Sequence, residues 1–481
     1  MKTPNERKIE MMPLENSAVI LKQAVRWRLR TAKEMVVSTV RGIVLVTVVG
    51  LTGLSATSNA QLSPEWISRV PVGTSLSAGT AGIYVDPDGV SYITGTSGAS
   101  SNTDITTVSF APDGSTRWTQ TFGSPNSGAD IASAITKGSN GVLYVVGSTP
   151  GANNFSNVLI LAYNAATGSL LHKIRYSSGP GISEFGSSIA ADAAGNQYVT
   201  GGTVGDGLDV MTLKFNAGGV VQWRKVWDGA AFGPFSQDSP VKLLLDPNRD
   251  VLVAITGYAA SNHADYVVVK YAPADGAVLW EKSWGVTGDD FPADMEIDAT
   301  GDVYVTGIGI NFIDKYSTIK LRGSDGQLLW QFYDANGLDH SARALYLDGA
   351  GGVFVTGTSD PDGDISNFND DFFTVKRNAA TGALLWTNVY GQPCKQCFDK
   401  PSDVRVDSEG HVFVVGLTSR RLTSTRSFCL CSTPLPASRP IEGSSLTWDP
   451  RFPPRAHCAS TLPSTSTTVA GSMTPTPAPE I

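Results

Sequence analysis

The sequence predicts an all-β fold, a seven-bladed β-propeller built from four-stranded antiparallel blades. The first observation behind this prediction is a glycine that closes an alternating strand and returns every 50 to 59 residues, at Gly95, Gly147, Gly201, Gly257, Gly307, Gly357 and Gly416. The second is a bulky ring in the last strand of the repeat, at Trp118, His172, Trp223, Trp280, Trp330 and Trp386. A period near 50 residues is typical of a propeller blade.

The unit from Gly301 to Trp330 shows what one blade contains. Val303–Thr306 alternates with a period of two, as strands do, and after a variable loop and a second alternating strand comes the tight turn at Asp325-Gly326. Six of the seven units enter the glycine-closed strand through a turn that begins with aspartate, at Asp86, Asp192, Asp246, Asp298, Asp348 and Asp407. Aspartate bonds the backbone two residues on and glycine supplies positive φ, so these residues predict hairpins.

The first and last segments of the chain are predicted to close the ring. Trp66 lies 52 residues before Trp118, in phase with the tryptophan series. We therefore predict that Pro64–Pro71 is an outer strand that completes the last blade, which lacks an outer strand of its own and is incomplete. Such closure leaves no open sheet edge. The predicted blades cover residues 79–123, 132–179, 187–229, 239–285, 292–337, 341–391, and 402–419 plus 64–71.

These repeats resemble the bacterial β-propeller repeat family often called SBBP, whose unit reads GxVYVTGxS, then D, TxKY, GxxLW and YG. Three stretches carry the resemblance best: Gly301–Trp330, Gly351–Gly391 and Asp192–Trp227. The resemblance extends roughly from Trp66 to Ser419; it implies the fold and an extracytoplasmic location and assigns no reaction. The turns Ala165–Gly168 and Ala379–Gly382 are also similar to the tryptophan-docking turns of quinoprotein-like (PQQ-type) propellers, which hold blades together and do not bind the quinone.

The N-terminus predicts export. Arg41 precedes an apolar run over residues 42–54, and small residues up to Ala60 precede Gln61, which are the parts of a cleaved secretory signal. Because the run is shorter than the ~20 residues that span a bilayer, we expect residues 1–60 to be removed, with the true start at Met35; an uncleaved anchor is the alternative. The mature protein is then periplasmic, cell-surface or secreted, without a stable membrane span.

The C-terminal segment departs from the repeat. Residues 61–419 form the predicted propeller, whereas residues 420–481 are rich in Ser, Thr, Pro and Arg. Such a composition buries little apolar surface, so we expect a low-complexity, disordered tail. The composition changes inside a repeat, which favours a reading-frame change in this tail. A glycosylated or wall-spanning stalk is the alternative.

The charge of the chain argues against a nucleic-acid partner. The full chain carries 36 Lys and Arg against 44 Asp and Glu, and beyond Gln61 the balance is 27 against 40, a net charge of −13. Proteins that bind nucleic acids present a basic surface, so we expect no nucleic-acid partner for this acidic chain. We expect instead a monomer that binds a protein or a glycan.

The longer loops of the propeller are the predicted binding face. Short Asp turns share one face of an up-and-down ring and the longer, variable connections share the other, where binding sites are usually carried. On that face an acidic residue precedes the inner strand of six blades, at Asp130, Glu184, Asp238, Asp290, Asp339 and Asp399. Placed around a channel, these carboxylates would attract a cation or a basic segment. The alternative is that each one caps its own turn.

Two further groups carry candidate sites. One loop offers the oxygen ligands that calcium prefers, at Asp360, Asp362, Asp364, Asp370 and Asp371. This loop lacks the EF-hand spacing, so a solvated acidic loop is the alternative. Cys394 and Cys397 lie in a blade connection, where a local disulfide fits an exported protein. Apart from calcium, we expect no cofactor.

The sequence favours a non-enzymatic binding or scaffolding module that uses its variable loop face. It contains no serine-nucleophile, dinucleotide or P-loop signature in a suitable context. The alternative is a quinoprotein-like oxidoreductase with a quinone and calcium at the ring centre. Another propeller enzyme, such as a lyase or glycosidase, would need paired carboxylates near the axis.

Overall fold

The computed structural model describes residues 21–27, 36–40, 43–48, 64–71 and 79–433 with internal gaps. The gaps are residues 100–101, 126–127, 152–154, 206, 230–236, 259–262, 286–287, 311–313, 335–337, 361–369, 391–397, 408–409 and 420–425. Every named element in the described residues is a β-strand. These residues include no helix long and apolar enough to cross a membrane.

The strands form eight sheets. The N-terminal sheet consists of β1 (Leu21–Trp27), β2 (Val36–Val40), β3 (Ile43–Val48) and β4 (Pro64–Pro71), in the order β2-β3-β1-β4. Blade 1 consists of β5 (Gly79–Val85), β6 (Ser91–Ala99), β7 (Asn102–Phe110) and β8 (Thr116–Phe122). Blade 2 consists of β9 (Ile131–Lys137), β10 (Val142–Pro150), β11 (Ser156–Asn164) and β12 (Leu170–Tyr176). Blade 3 consists of β13 (Ser183–Ala191), β14 (Gln197–Val204), β15 (Leu208–Phe215) and β16 (Val221–Trp227).

The remaining blades repeat this plan. Blade 4 consists of β17 (Ser239–Leu245), β18 (Val251–Gly257), β19 (Asp265–Tyr271) and β20 (Val278–Trp284). Blade 5 consists of β21 (Phe291–Ile297), β22 (Val303–Ile310), β23 (Asp314–Leu321) and β24 (Leu328–Asp334). Blade 6 consists of β25 (Leu338–Leu347), β26 (Gly352–Asp360), β27 (Asp371–Asn378) and β28 (Leu384–Tyr390). Within the residues described up to Thr433, blade 7 has three strands, β29 (Phe398–Val406), β30 (Val412–Ser419) and β31 (Arg426–Thr433).

The predicted fold class is confirmed. Each of the seven blades is an antiparallel sheet whose strands pair in chain order, and the last blade is incomplete. Successive inner strands, from β5 to β29, contact one another and therefore line a central channel. Between each pair of successive blades lies a hydrophobic cluster of described residues. Because a blade packs against a neighbour on both sides, every residue of β19 is buried.

Tryptophans of four blades dock onto the following blade. The indole Nε1 donates a hydrogen bond to a backbone carbonyl of the next outer turn: Trp118 to Ala165 (3.0 Å), Trp223 to Pro273 (3.3 Å), Trp280 to Gly323 (3.1 Å) and Trp330 to Ala379 (3.1 Å). Three residues after each acceptor, a glycine with positive φ lies against the ring, where an added Cβ would come within 2.6 to 2.9 Å of it: Gly168, Gly276, Gly326 and Gly382. Both docking turns expected from the sequence are present.

In most blades the backbone of the inner strand comes so close to the end of the second strand that only glycine fits there. A Cβ on Gly147 would lie 1.9 Å from the carbonyl oxygen of Ile131, and one on Gly201 would lie 1.8 Å from that of Phe185. The register of each inner strand shifts by one residue near this place, which marks a β-bulge. In six blades the recurring glycine faces this bulge. In blade 4 Ile255 occupies that place, and the predicted Gly257 lies two residues further on, opposite Asp265.

The Asp-led turns form the hairpins that the sequence predicts. Oδ1 of Asp192 accepts backbone hydrogen bonds from Ala194 and Asn196, both at 2.9 Å, and Gly195 has a φ of 81°. Turns of the same pattern begin at Asp246, Asp298 and Asp348. The side chain of each aspartate thus satisfies the turn that it starts.

The prediction that Pro64–Pro71 completes the last blade is wrong. In the structure β4 pairs antiparallel with β1, with Trp66 opposite Arg26, and the strand beside β30 on its outer side is β31. Tryptophan spacing could not reveal this pairing, because a strand joins whichever edge lies next to it in space. The N-terminal sheet lies between blade 7 and blade 1, since β2 contacts β29, β30 and β5.

Strands also occur in the two segments that the sequence places outside the propeller. Strands β1 to β3 fall within residues 1–60, the segment that resembles an export signal, and β31 falls within the segment 420–481. Segments rich in Val, Ile and Thr, such as Val36–Val40 and Ile43–Val48, favour strands whatever else they encode.

Replacing Gly168 with alanine tests the tryptophan docking. The Cβ would lie 2.6 Å from the Trp118 ring, and φ at this position is 74°. Gly141 of the same blade is a matched control, because its φ is 77° and nothing lies within 4 Å of an added Cβ. Both variants carry the ~1 kcal/mol cost of positive φ; we expect Gly168→Ala to lose about 1–3 kcal/mol more, from the clash. Urea unfolding measures the difference, and equal losses would contradict the docking.

Candidate functional site

The antiparallel connectivity gives the ring two faces. The turns between the first and second strands and between the third and fourth strands share one face, here called the turn face. The loops between the second and third strands and the connections between blades share the other, here called the loop face. The predicted ligand and calcium positions that the structure describes belong to segments of the loop face.

Five of the six predicted acidic residues are buried. The side chains of Asp130, Glu184, Asp238, Asp290 and Asp399 are at most 1% exposed. The side chain of the sixth, Asp339, lies outside the described residues. Its neighbour His340 is fully buried, with its ring 6.1 Å from Tyr316 and 6.0 Å from Phe373.

Three of these carboxylates hold blade connections through backbone N–H groups. The donors are Ser124 to Asp130 (2.6 Å), Ser178 to Glu184 (2.8 Å), and Gly229 and Tyr258 to Asp238 (both 2.9 Å). Hydrogen bonds from backbone N–H groups to a carboxylate are strong, and they fix the donating loop. These three side chains thus position the loop face, and their predicted contact with a ligand stays a prediction.

Asp238 also belongs to a carboxylate cluster. Ligand oxygens of Asp209, Asp228 and Asp238 lie within 4.8 Å of one another, where β15, the end of β16 and the start of β17 meet. Burial raises the pKa of Asp238; the N–H groups of Gly229 and Tyr258 oppose this, and the charge of Asp228 adds to it. Convergent carboxylates of this kind are ligands that suit calcium. Sequence reasoning missed Asp209 and Asp228, because only the blade junction brings them to Asp238.

The predicted calcium loop is described at its two ends only. Asp360 and Asp371 are buried, and the carboxylate of Asp370 lies 3.3 Å from Nζ of Lys400. The other members of the two loop predictions lie outside the described residues: Asp362, Asp364, Cys394 and Cys397. Calcium at this loop and the disulfide therefore remain predictions.

The loop face contains a recess of about 490 Å³ between blade 2, the connection that leads into it from blade 1, and the start of blade 3. Its apolar walls come from the start of β9, the end of β10, the loop that follows and the start of β13: Ile131, Pro150, Phe155 and Phe185. Serine residues add hydroxyl groups: Ser133, Ser148 and Ser156. The volume falls within the range of ~300–1,000 Å³ that is usual for ligand pockets.

Two of the predicted acidic residues directly precede, in the sequence, residues that line this recess. Asp130 directly precedes Ile131, which is 45% exposed, and Glu184 directly precedes Phe185. Because each carboxylate is buried and bonded to a connecting loop, it fixes the backbone on which the neighbouring wall residue is carried. Asp130 and Glu184 are positioning residues for the recess.

Charged side chains also meet on the inner strands. Nζ of Lys242 lies 2.8 Å from Asp294 and 3.0 Å from Glu296, and Nη1 of Arg405 lies 2.7 Å from Asp403. These five residues belong to β17, β21 and β29, which line the central channel. Their side chains are 16% to 31% exposed. We call them the channel charge cluster.

Three members of the channel charge cluster occupy the same place in their blades. Lys242, Asp294 and Asp403 each follow directly after the inner-strand bulge. At this position in blade 3, Ser188 accepts a hydrogen bond from the backbone N–H of Leu243 at 3.1 Å. In the sequence, these three charged residues are separated by one or two repeat periods. That spacing becomes meaningful only when the bulge shows that they occupy equivalent positions.

Charges act across the channel on Asp403. Burial raises the pKa of Asp403 to about 6; Arg405 opposes this rise, and Asp294, two blades away, adds to it. Burial alone would lower the pKa of Lys242, but Asp294 and Glu296 raise it overall. The channel charge cluster therefore contains a carboxylate that gains a proton in mildly acidic solution.

Comparison with protein-family models finds no match, and comparison with curated proteins finds none. The SBBP resemblance therefore rests on the repeated residues alone. The similarities found among solved structures are weak. The chain is similar to a quinohemoprotein alcohol dehydrogenase from Comamonas testosteroni (13% identity, TM-score 0.44, covering 74% of this chain and 68% of that one).

A second quinohemoprotein alcohol dehydrogenase, from Pseudomonas putida HK5, shows 11% identity and a TM-score of 0.40, covering 74% of this chain and 72% of that one. A periplasmic gluconolactonase of Pseudomonas aeruginosa shows 14% identity and a TM-score of 0.43, covering 69% and 88%. Similarities this weak assign neither an activity nor a cofactor to this chain.

Replacing Asp403 with asparagine is expected to change how stability depends on pH. The folded-state pKa near 6 lies above the ordinary 3.8, so ionising Asp403 costs stability as the pH rises through about 6. Asp403→Asn removes this cost, so we expect the variant to be ~1–2 kcal/mol more stable than the parent near neutral pH and about equally stable below about pH 4. Urea unfolding at both pH values measures this.

The exposed turn residue Asp88 supplies the control. Asp88→Asn should leave the pH dependence of the parent unchanged. An offset between Asp403→Asn and the parent that is the same at both pH values would contradict the raised pKa.

Proposed function

We propose that this chain is an exported β-propeller that acts as a non-enzymatic binding module and takes a neutral glycan in the loop-face recess. The observation that carries the proposal is the recess itself, about 490 Å³ in volume and framed by blade 2, the connection that leads into it and the start of blade 3. A rigid scaffold with variable loops on one face is the usual arrangement for such a site. Export is supported by the signal-like segment that ends at Ala60.

The lining of the recess supports a neutral polar ligand. Phe155 and Phe185 offer flat apolar surfaces, and apolar walls with a few placed polar groups are typical of ligand pockets. Serine hydroxyls both donate and accept hydrogen bonds, as sugar hydroxyls do. No charged side chain is among the described residues that line the recess, so a strongly ionic ligand would find no partner there.

The walls of the recess are held before any ligand arrives. Ser124 donates to the buried Asp130 and Ser178 to the buried Glu184, so the connections into blades 2 and 3 are fixed. A site whose loops are already ordered loses less conformational entropy on binding. This supports a binding role that uses the loops without large movement.

A glycan array probed with the purified full chain, followed by calorimetry on the best neutral glycan, tests the proposal. Phe155→Ala and Phe185→Ala should each weaken binding by tenfold or more, because each removes an apolar wall, and tenfold is about 1.4 kcal/mol. Phe291→Ala is the matched control: Phe291 also follows a buried carboxylate, Asp290, is 37% exposed, and lies outside the recess.

Other outcomes would point elsewhere. Binding that Phe291→Ala weakens as much as Phe155→Ala would place the ligand outside the recess. Hydrolysis or oxidation of the bound glycan would replace the binding role with an enzymatic one. A new absorbance band after reconstitution with the quinone would favour the quinoprotein-like alternative.

A further inference from the structure

At two blade junctions a carboxylate of one blade faces a carboxylate of the connection into the next. At the junction of blades 3 and 4, oxygens of Asp209, near the start of the third strand, and Asp238 lie within 4.8 Å of each other. Asp104 holds the same strand position in blade 1, and Asp130 the same place in the connection to blade 2. The two junctions also share a backbone hydrogen bond, because the N–H of Asp130 and that of Asp238 each donate to the carbonyl that precedes the strand aspartate, at 2.8 and 2.9 Å.

One oxygen of the Asp130 carboxylate is buried without a donor. Its Oδ2 accepts from the N–H of Ser124 at 2.6 Å, but its Oδ1 accepts from no group in the described residues. The corresponding oxygen of Asp238 accepts from the N–H of Tyr258 at 2.9 Å. Counted along the paired strands, the residue equivalent to Tyr258 in blade 2 is Pro150, and proline has no N–H. The junction of blades 1 and 2 therefore lacks a donor that the other junction has.

Asp104 is placed to supply that donor when it is protonated. Its Oδ1 lies 2.4 Å from the point that a Cβ on Gly123 would occupy, beside the connection that Asp130 holds. Burial raises the pKa of Asp104, and the charge of Asp130 adds to this rise. Two carboxylates that share a site retain a proton more readily than an isolated one. Arg175 of the neighbouring β12 donates to Thr149 at 2.9 Å and pairs with neither carboxylate in the described residues.

The junction of blades 2 and 3, which frames the other side of the recess, has no such pair. Its third strand carries Asn157 at the position of Asp104, and the carboxylate of Glu184 lies 3.7 Å from the guanidinium of Arg224. An amide does not titrate and an arginine stays charged, so this side of the recess needs no added proton.

The carboxylate pair bears directly on the wall of the recess. Gly128 and Ala129, in the connection that ends at Asp130, line the recess. The N–H of Gly128 donates to Oδ1 of Asn102 at 3.2 Å, and Oγ1 of Thr103 donates to the carbonyl of Asp130 at 3.2 Å. This wall is thus attached to the start of β7, the strand that carries Asp104.

We propose that Asp104 and Asp130 share a proton that holds this wall of the recess in acidic solution, and that the wall loosens as the pH rises. While Asp104 is protonated, its O–H donates to Oδ1 of Asp130. Once Asp104 has lost the proton, two negative charges face each other out of water and repel. The consequence for a ligand rests on the binding role proposed above, whereas the change in the wall does not.

Hydrogen exchange of the ligand-free full chain, read at single residues by mass spectrometry, tests the shared proton. The amides of Ser124 and Gly128 should lose about tenfold in protection factor between about pH 4 and about pH 7, since tenfold corresponds to one unit of pKa. Protection factors are compared because unprotected amides themselves exchange faster as the pH rises. The amide of Ser178, which donates to Glu184, should keep its protection; an equal loss there would overturn the proposal.

Asp104→Asn should remove the pH dependence, because the side-chain amide donates to Asp130 at every pH. Asn157 shows that the blade accepts asparagine at this position. Asp88→Asn, in an exposed turn of the same blade, is the matched control and should respond as the parent does. The same pH response in Asp104→Asn and in the parent would overturn the proposal. Protection that added calcium restores at about pH 7 would also overturn it, because the pair would then hold a cation.

Calorimetry with the best neutral glycan from the array extends the test to the recess. The affinity of the parent should fall about tenfold between about pH 4 and about pH 7, and that of Asp104→Asn should stay constant. A constant affinity in the parent would overturn the control of the recess by this pair. A chain that shows the exchange response but binds no neutral glycan would support the shared proton and overturn only the glycan role.

Discussion

The structure depends on the docking of one blade's tryptophan onto the outer turn of the next. A single contact of this kind combines an indole hydrogen bond with a ring packed on a glycine, at Trp223 and Gly276 for example. The turn must have positive φ and no side chain at that point, so the sequence can vary elsewhere without changing the blade-to-blade geometry. Four such contacts link blade 1 to blade 2 and blades 3 to 6 in succession, and the clusters between these blades can be packed tightly.

A second repeated device works at the inner edge of the blade. In five blades the bulge in the inner strand brings a carbonyl oxygen against the glycine that closes the neighbouring strand, as Ile131 does at Gly147. The residue after the bulge is where Lys242, Asp294 and Asp403 occur. The bulge therefore accounts for the glycine in these blades and for the position of three members of the channel charge cluster.

The loop face owes its shape to buried carboxylates. Asp130, Glu184 and Asp238 take up backbone N–H groups of the connections that cross from one blade to the next. Burying an ionised group is costly unless it is hydrogen-bonded, so these residues and their loops order one another. A face built this way can vary its exposed residues, such as Phe155 and Phe185, while the backbone beneath them stays in place.

The sequence by itself determined the blade: its period, its Asp-led hairpins, its docking tryptophans and the acidic residues before the inner strands all follow from local patterns. Those patterns are local because turns and alternation involve residues close in the chain. Only the tertiary structure decided that Pro64–Pro71 pairs with Leu21–Trp27, that Asp209 and Asp228 meet Asp238, and that Ile131, Phe155 and Phe185 frame one recess. Each of these joins residues from different blades or sheets, and such partners are set by which edges and loops become neighbours when the ring assembles.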